Sequence, residues 1–468
     1  MDLPLCVDLD GTLCRTNTLI EMLLLMLRRK PRLLWALPGW LLSGRAELKA
    51  QLARRVGLDP AALCYNRTLL QRLAAARLQG RKIVLVTAAH ERIACAVAEY
   101  LGGFDDIIAS SDHKQVKGAA KLAAIRRRFG AQGFDYAGDS AADFSVWKEA
   151  RTAIYAGYSR RLERKLLRRH PSVESVAAPR SSAWPRQLRI HQWSKNLIVF
   201  VPLLAAHDLR NSMAVFSAAL IFLSFCLCAS AAYMLNDLLD LHADRRHVDK
   251  QRRPFAAGDL PLGAGLLVAP VLALCGVAVA ASISLLNAAV SAAYLLMVIS
   301  YSFLLKRFAL ADIFMLAGLY TLRLIAGNVA AKLQFSPWLL AFSMFIFLSL
   351  AVLKRVTELN AEVASPVAGR DYARGDLDFL RPFGILSGGL AVLILALYVT
   401  STAVTRLYRQ PMWLLFLCPI FLYWIARTWL VAQRGQMPSD LVLFALTDKF
   451  SYFALACVIT VVLAARPL

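Results

Sequence analysis

Hydrophobic positions are spaced in two different ways along this chain. Up to about residue 190 they form short runs between charged stretches, and beyond it they form long runs of about twenty residues. A bilayer core takes about 20 apolar residues per helix. Nine candidate spans follow: 195–208, 212–236, 263–285, 287–305, 309–330, 336–353, 382–401, 411–431 and 441–464. The first is short and starts near the interface. Nine consecutive runs of this length do not fit the buried helices of a soluble protein. Before residue 190, Leu3-Pro4-Leu5-Cys6-Val7 and Lys82-Ile83-Val84-Leu85-Val86 read as strands. Each runs into polar residues that a parallel sheet would present at its carboxyl edge.

Composition sharpens this division. The chain has 468 residues, 58% of them hydrophobic, and a net charge of +23. That is too apolar for a soluble chain and too basic for membrane helices alone. Residues 1–193 hold 32 Lys+Arg against 17 Asp+Glu, and residues 194–468 hold 22 against 14. The length predicts at least two domains. The nine cysteines are scattered, and Cys226 and Cys228 fall in an apolar run, so neither a disulfide framework nor a zinc knuckle is expected. The start, Met1-Asp2-Leu3-Pro4-Leu5, lacks the pattern of a secretory signal, which predicts a cytosolic first domain. Loops on the side of that domain hold thirteen Lys/Arg, and the opposite loops and tail hold five: Arg210, Lys332, Arg406, Arg409 and Arg466. The bias predicts an inner (plasma) membrane protein with its N-terminus in the cytosol and its C-terminus outside. A basic segment, 161–189, reads as a linker, either a solvated helix face or a contact for anionic headgroups.

Charged residues at the helix ends on the cytosolic side carry the chemistry. Asp237, Asp240 and Asp244, spaced three and four apart, share one helix face. Like charges so placed call for a cation, and hard oxygen ligands beside a diphosphate suit Mg²⁺. Arg245, Arg246, Lys250, Arg252 and Arg253 follow. This region resembles the UbiA superfamily of intramembrane prenyltransferases, which have nine helices. Their signature Asn-Asp-x-x-Asp-x-x-x-Asp is matched by Asn236, Asp237, Asp240 and Asp244, and Lys-x-x-Arg-Pro by Lys250, Arg253 and Pro254. The resemblance implies Mg²⁺, one or two ions, and diphosphate at this segment. The second signature loop departs from the aromatic prenyltransferases. It reads Lys354-Arg355-Val356-Thr357-Glu358, then Gly369-Arg370-Asp371-Tyr372, basic before acidic, which suits a phosphate more than a second metal.

Further segments resemble the branch of the superfamily that transfers phosphoribose from phosphoribosyl diphosphate to polyprenyl phosphate. They are Arg189 to Asn196, including Lys195, then Tyr301 to Lys306, Asp312 with Arg323, and Asp440 to Lys449. Trp193 also fits an interface anchor, and Lys306 with Arg307 also fits the positive-inside rule. A charge inside a membrane helix is costly and marks function, which singles out Arg323 as a substrate-binding residue and leaves Asp312 open. Lys354 and Arg355 would take the ribose 5-phosphate or the lipid phosphate, with Glu358 beside them.

The first half has its own pattern: Asp8-Leu9-Asp10-Gly11-Thr12 after one strand, Thr87 after another, Lys117-Gly118, and Gly138-Asp139-Ser140-Ala141-Ala142-Asp143. In this order the four motifs resemble the haloacid dehalogenase (HAD) superfamily, and its phosphatases in particular. The resemblance covers about 1–160 and implies an α/β, Rossmannoid domain with a helical cap at about 16–80. It makes Asp8 the nucleophile and Asp10 the general acid/base. Thr87 would bind phosphoryl oxygens and Lys117, with Lys114 as a rival, would steady Asp8. Asp8, Asp10, Asp139 and Asp143 would hold one Mg²⁺. The cap is unusually apolar, Leu19–Leu27 and Leu33–Leu42, split by Arg28-Arg29-Lys30-Pro31-Arg32. It reads as a membrane-surface contact, as packing on the transferase, or as ordinary cap core.

The expected architecture is therefore a HAD-like domain followed by a UbiA-like bundle of nine transmembrane helices over 190–468. The expected partners are polyprenyl phosphate, phosphoribosyl diphosphate and membrane lipids, and no motif calls for nucleic acid. The expected activity is phosphoribosyl transfer followed by dephosphorylation of the lipid product. An aromatic-acid polyprenyltransferase with an accessory phosphatase stands as the alternative, and a non-catalytic lipid-binding or transport protein as a third.

Overall fold

In the computed structural model the first apolar run is a strand, β1 (Leu5–Val7), with every side chain buried. The structure describes residues 3–465 apart from 113–114, 131–132, 177–182, 362–370, 402–403, 405–406, 439–443 and 446. The chain forms two compact units. One holds Met1–Leu188 with Tyr233–Ala269, and the other holds Arg189–Ala232 with Pro270–Leu468.

The first unit is built on a parallel sheet of six strands. After β1 come β2 (Ile83–His90), β3 (Asp106–Ser110), β4 (Asp135–Gly138), β5 (Ala153–Tyr155) and β6 (Val173–Ser175), in the spatial order β3-β2-β1-β4-β5-β6. Central strands of a parallel sheet are covered on both faces, so β1 and the start of β2 are continuous apolar runs rather than alternating ones. The order reverses between β1 and β4, and such a switch point opens a crevice at the carboxyl ends of the strands. Asp8 and Asp139 directly follow β1 and β4, and Thr87 lies in the second half of β2.

Between β1 and β2 the cap supplies α1 (Thr18–Arg29), α2 (Leu37–Leu42), α3 (Arg45–Arg55) and α4 (Arg67–Leu78). Helix α1 starts where the Asn17 side chain accepts the N–H groups of Leu19 and Ile20 at 3.1 and 3.3 Å. It carries Glu21 in its first turn and Arg28 and Arg29 in its last, each sign at the end of the helix dipole that favours it. Its buried face, Met22, Leu25 and Met26, joins the sheet's core. The stretch 161–189, read above as a linker, is partly domain. It supplies the helix Arg160–Leu167 and the edge strand β6, whose Val173 pairs with Ala153. The basic run hid an apolar stripe: Leu166 is buried and Leu162 half-buried against the cluster around Trp147.

The second unit is helical. Across the chain, seven described helices are long and apolar enough to cross a membrane: Ser212–Leu239, Leu262–Ala281, Leu285–Phe303, Ala311–Ala330, Pro337–Asn360, Arg374–Val399 and Pro411–Gln433. The expected first and ninth spans are shorter. The first is a 3-10 helix, Ile190–Phe200, followed by five α-helical residues, Val201–Ala205, with Pro202 at the junction. The last helix runs Lys449–Ala464. Asp448 sets its start by accepting the Ser451 N–H at 2.9 Å, which leaves 16 residues, about 24 Å. Small residues let the helices approach closely. A Cβ on Gly384 would lie 2.2 Å from the Trp429 ring, and one on Gly327 would lie 1.9 Å from the Val199 carbonyl.

Candidate functional sites

Asp8, Asp139 and Asp143 come together at the switch point. Asp8 follows β1 and is nearly buried. Its N–H donates to the Ala137 carbonyl at 3.0 Å, and its Oδ1 accepts the Leu9 N–H at 2.8 Å. Carboxylate oxygens of Asp8, Asp139 and Asp143 lie within 4.8 Å of one another, the one such group of three metal-binding side chains among the described residues. Asp143 is fixed by the Tyr136 hydroxyl at 2.8 Å and by the Ser140 hydroxyl and N–H at 2.8 and 3.1 Å. Asp139 receives no donor among the described residues. Burial, then Asp8, Asp143 and Asp10, pushes its carboxyl up to about 8. A buried carboxylate group with this surplus of negative charge fits a divalent cation. Gly11, at φ +74°, passes so close that a Cβ there would lie 2.1 Å from Asp139 Oδ2.

Two expectations at this site need correction. The cation on Asp8 is Lys121, not Lys117. Lys121 Nζ stands 2.9 Å from Asp8 Oδ2 and 3.3 Å from Asp143 Oδ1, buried in the first turn of the helix Ala119–Phe129, whereas Lys117 is exposed. Gly118, at φ +57°, turns the chain between them, so the residue before the turn faces water and the one a turn into the helix faces the site. Lys114 lies outside the described residues. Asp10 does not join the group of three carboxylates. Its Oδ1 accepts the Thr18 N–H at 2.7 Å, at the start of α1, and burial raises its pKa. Thr87 is buried where expected, and its hydroxyl oxygen accepts the Ala89 N–H at 3.0 Å. The sequence reading missed Lys49. This lysine of the cap helix α3 donates to the Ala88 carbonyl, and both Asp10 and Asp8 act on its charge. Nothing in its local pattern separates it from a solvated lysine.

The acidic signature lies in the same unit. The helix Ser212–Leu239 ends just before Asp240, and Leu241–Arg246 continues the path, with the Asp240 and Asp244 N–H groups donating to Asn236 and Asp240 carbonyls at 2.8 Å. Arg253 Nη1 bridges Asp237 and Asp244 at 3.0 and 2.7 Å. Gln187 Nε2 donates to Asp237 at 3.0 Å, while its buried Oε1 has no partner. Burial pushes Asp244 up to about 6 against the pull of Arg253. Asp240 is held differently: Arg28, at the end of α1, pairs with it and donates to the Leu239 carbonyl at 2.9 Å. The three carboxylates thus divide into a pair bridged by Arg253 and one held by the cap. Asp237 and Asp244 are buried, with the orphaned Gln187 oxygen beside Asp237, and these hard oxygen ligands suit a cation; Asp240 is half-buried and stands apart on Arg28. Asn236 is half-buried and Lys250 is exposed.

One turn on, Arg245 grips Glu21 of α1 with both terminal nitrogens, at 3.0 and 2.9 Å, and donates to the Ala62 and Ala256 carbonyls. His242 Nε2 lies 3.2 Å from the same carboxylate, and the Thr16 hydroxyl donates to it. Burial alone would raise the Glu21 pKa, but His242 and Arg245 hold it down at about 2. Helix α1 therefore touches Asp10 at its first residue and Asp240 at its last turn.

In the second unit, Arg323 is buried between the rings of Tyr294 and Tyr320. It donates to Asn196 Oδ1 at 2.8 Å, the Leu319 carbonyl at 2.6 Å and the Tyr294 hydroxyl at 3.1 Å, with no carboxylate partner among the described residues. Asp312, eleven residues earlier, pairs instead with the fully buried Arg355, which also binds Glu358 and donates to the Tyr301 hydroxyl oxygen at 3.0 Å. Arg355 is thus neutralised by its own unit. Lys195, Lys306 and Lys354 are half-buried. Gly369, Arg370 and Asp440 lie outside the described residues.

The UbiA prenyltransferase family matches residues 197–446. The chain belongs to that family. A haloacid dehalogenase-like hydrolase match covers residues 5–148, so this UbiA protein carries a HAD domain ahead of its membrane part. An uncharacterized protein of Sinorhizobium fredii is 38% identical over 96% of this chain and 89% of its own length. The decaprenyl-phosphate phosphoribosyltransferase of Mycobacterium tuberculosis is 34% identical over 46% of this chain and 72% of its own. A UbiA homolog from Archaeoglobus fulgidus, solved with GPP and Mg²⁺, is 15% identical, with a TM-score of 0.47 over 60% of this chain and 99% of that one. Both families are typically Mg²⁺-dependent. The chain is an integral membrane protein that combines transferase and phosphatase family domains.

Proposed function

We propose that the chain transfers 5-phosphoribose from phosphoribosyl diphosphate to polyprenyl phosphate, and then removes the 5-phosphate to leave polyprenyl-phosphoryl ribose. The observation that carries this reading is the grouping of the Asp8, Asp139 and Asp143 carboxylates beside Lys121 on a chain that also carries the full acidic signature followed by a basic second loop. The 34% identity to a decaprenyl-phosphate phosphoribosyltransferase supports the choice of donor and acceptor.

In the transfer, Asp237, Asp240 and Asp244 would hold a Mg²⁺ ion beside the donor diphosphate, and that ion would supply positive charge to offset what builds on the departing diphosphate. Asn236, Lys250 and Arg253 bind its remaining oxygens. Lys354, Lys195, Lys306 and Arg323 serve the other phosphates, and Glu358 is kept in place by Arg355. The lipid phosphate is already anionic, so its oxygen displaces diphosphate from the anomeric carbon without a strong general base.

In the second step Asp8 attacks the phosphorus of the 5-phosphate, and the bond to the ribose oxygen breaks. Asp10, kept protonated more readily by burial, gives its proton to that oxygen. Water, deprotonated by Asp10, then releases phosphate from Asp8. Lys121 offsets the charge on Asp8, and Thr87 holds the phosphoryl oxygens. Both steps take place on the cytosolic face of the inner membrane, with the C-terminus outside.

Purified protein in bilayers, given phosphoribosyl diphosphate and a polyprenyl phosphate, should yield polyprenyl-phosphoryl ribose by lipid mass spectrometry. Asp8→Asn should stop at the 5-phosphorylated lipid. Absence of any pentose-bearing lipid refutes the transfer, and unchanged product from Asp8→Asn refutes the coupling.

A further inference from the structure

Between α1 and α3 the cap carries a segment whose side chains face two ways. A 3-10 turn, Pro31–Ala36, leads into α2. Leu33, Leu37 and Trp40 pack against the phosphatase core, and the Arg55 guanidinium lies 5.4 Å from the Trp40 ring. The other apolar side chains point outward. Trp35 is 91% exposed, Leu42 89%, Leu41 55% and Leu34 38%. Ordinary cap core would bury them. The surrounding charge is of one sign: Arg28, Arg29, Lys30, Arg32 and Arg45 fall between Glu21 and Glu47, with no acidic residue among them. Arg29, Lys30 and Arg32 are exposed.

We propose that residues 31–42 are an interfacial anchor that docks the phosphatase cap on the anionic face of the bilayer its own chain spans. Trp35, Leu34, Leu41 and Leu42 enter the boundary between headgroups and acyl chains, and Arg29, Lys30 and Arg32 meet lipid phosphates. Three arguments select lipid as the occupant. The chain has seven helices able to cross a membrane, so a bilayer is always at hand. Tryptophan flanked by leucine and by cations is the composition of an interfacial segment, drawn to anionic lipid by charge and held by apolar burial. Twelve residues are too few to span a bilayer, so the segment lies on it. The anchor continues directly from the end of α1 that holds Asp240.

The test uses the full-length protein in nanodiscs of phosphatidylcholine with or without phosphatidylglycerol, the acyl chains brominated or plain. The emission lost in Trp35→Phe isolates the contribution of Trp35. Brominated chains should quench that contribution, more strongly in the anionic discs than in the neutral ones. Replacing Arg29, Lys30 and Arg32 together by glutamine should remove the difference between the two lipids. Quenching equal to that of a water-exposed indole overturns the proposal, and a Trp35 shielded from both lipid and aqueous quenchers assigns the surface to protein instead. A second readout rests on the lipid-phosphate reading given above. Trp35→Ser with Leu42→Ser should slow hydrolysis of a phosphomonoester lipid in the disc by about tenfold and leave hydrolysis of a soluble phosphomonoester unchanged. Equal loss on both substrates overturns a docking role. Quenching without that selectivity would instead count against the lipid substrate, so the two ideas fail separately.

Discussion

Lys121 and Lys117 sit four residues apart and have opposite surroundings. Lys121 is buried, and although burial disfavours its charge, Asp8 and Asp143 more than restore it. Lys121→Met should therefore lower hydrolysis of a soluble phosphomonoester by about 10²-fold or more, as loss of a charge-stabilising group in a buried site does, while Lys117→Met stays near wild type. Steady-state rates of the two variants, side by side, decide it. Glu21 is the second residue with a sharp expectation. Its folded pKa, about 2, lies below the ordinary 4.5, so its ion pair contributes fully above about pH 4.5 and is lost as pH falls toward 2. Glu21→Gln should lower the melting temperature at pH 7 and flatten its fall between about pH 4.5 and pH 2, both readable by scanning fluorimetry in detergent. Asp8 and Asp139 were legible in the sequence because each directly follows its strand, while Asp10 lies in the turn after β1 and Thr87 within β2. Lys121 was not, because the positive φ of Gly118 reassigns which lysine faces inward. Nor was the partner of Glu21, because Arg245 is 224 residues away.

At the level of elements, periodicity told spans from strands but not where helices stop. The last helix starts at Lys449 because Asp448 caps it while also pairing with Arg427 at 2.7 and 2.9 Å. A hydropathy run carries no trace of that cap. The segment after Arg189 winds as a 3-10 helix beside the helix Ala311–Ala330, where Gly327 admits the Val199 carbonyl. The basic run at 160–169 looked like a tether because arginines outnumber its leucines, yet two of those leucines finish the sheet's core. Close helix contact gives an element-level prediction. Gly384→Leu would place side-chain atoms where the Trp429 ring stands, and should lower the detergent-solubilised melting temperature or prevent recovery of monodisperse protein in size-exclusion chromatography. Gly389→Leu, where a Cβ meets nothing within 4 Å, is the matched control and should be tolerated.

For the molecule as a whole, the acidic signature belongs to the same compact unit as the phosphatase sheet. The sequence reading divided the chain at the junction near residue 190, since a motif search treats each family match as its own body. The structure adds the ion pairs Arg28–Asp240 and Arg246–Asp59 and the Glu21–Arg245 pair across that division. Chemistry and architecture can still be separated experimentally. Asp237→Asn should abolish transfer while soluble phosphatase activity stays within about twofold of wild type, because the sites use different carboxylates. Assays of both activities on one preparation check this.

Helix α1 is 12 residues long, a rod of about 18 Å that begins on Asp10 and ends on Asp240. A gene split at the boundary between the two family matches would therefore produce two damaged halves. The first would bury a glutamate stripped of its guanidinium, a loss that typically costs about 3–5 kcal/mol. The second would carry its acidic loop without the cap that holds Asp240. Produced separately, each half should be poorly soluble or inactive. Produced together in one cell, they should find each other and recover both activities, since the shared helix makes the phosphatase a chaperone for its neighbour's active loop.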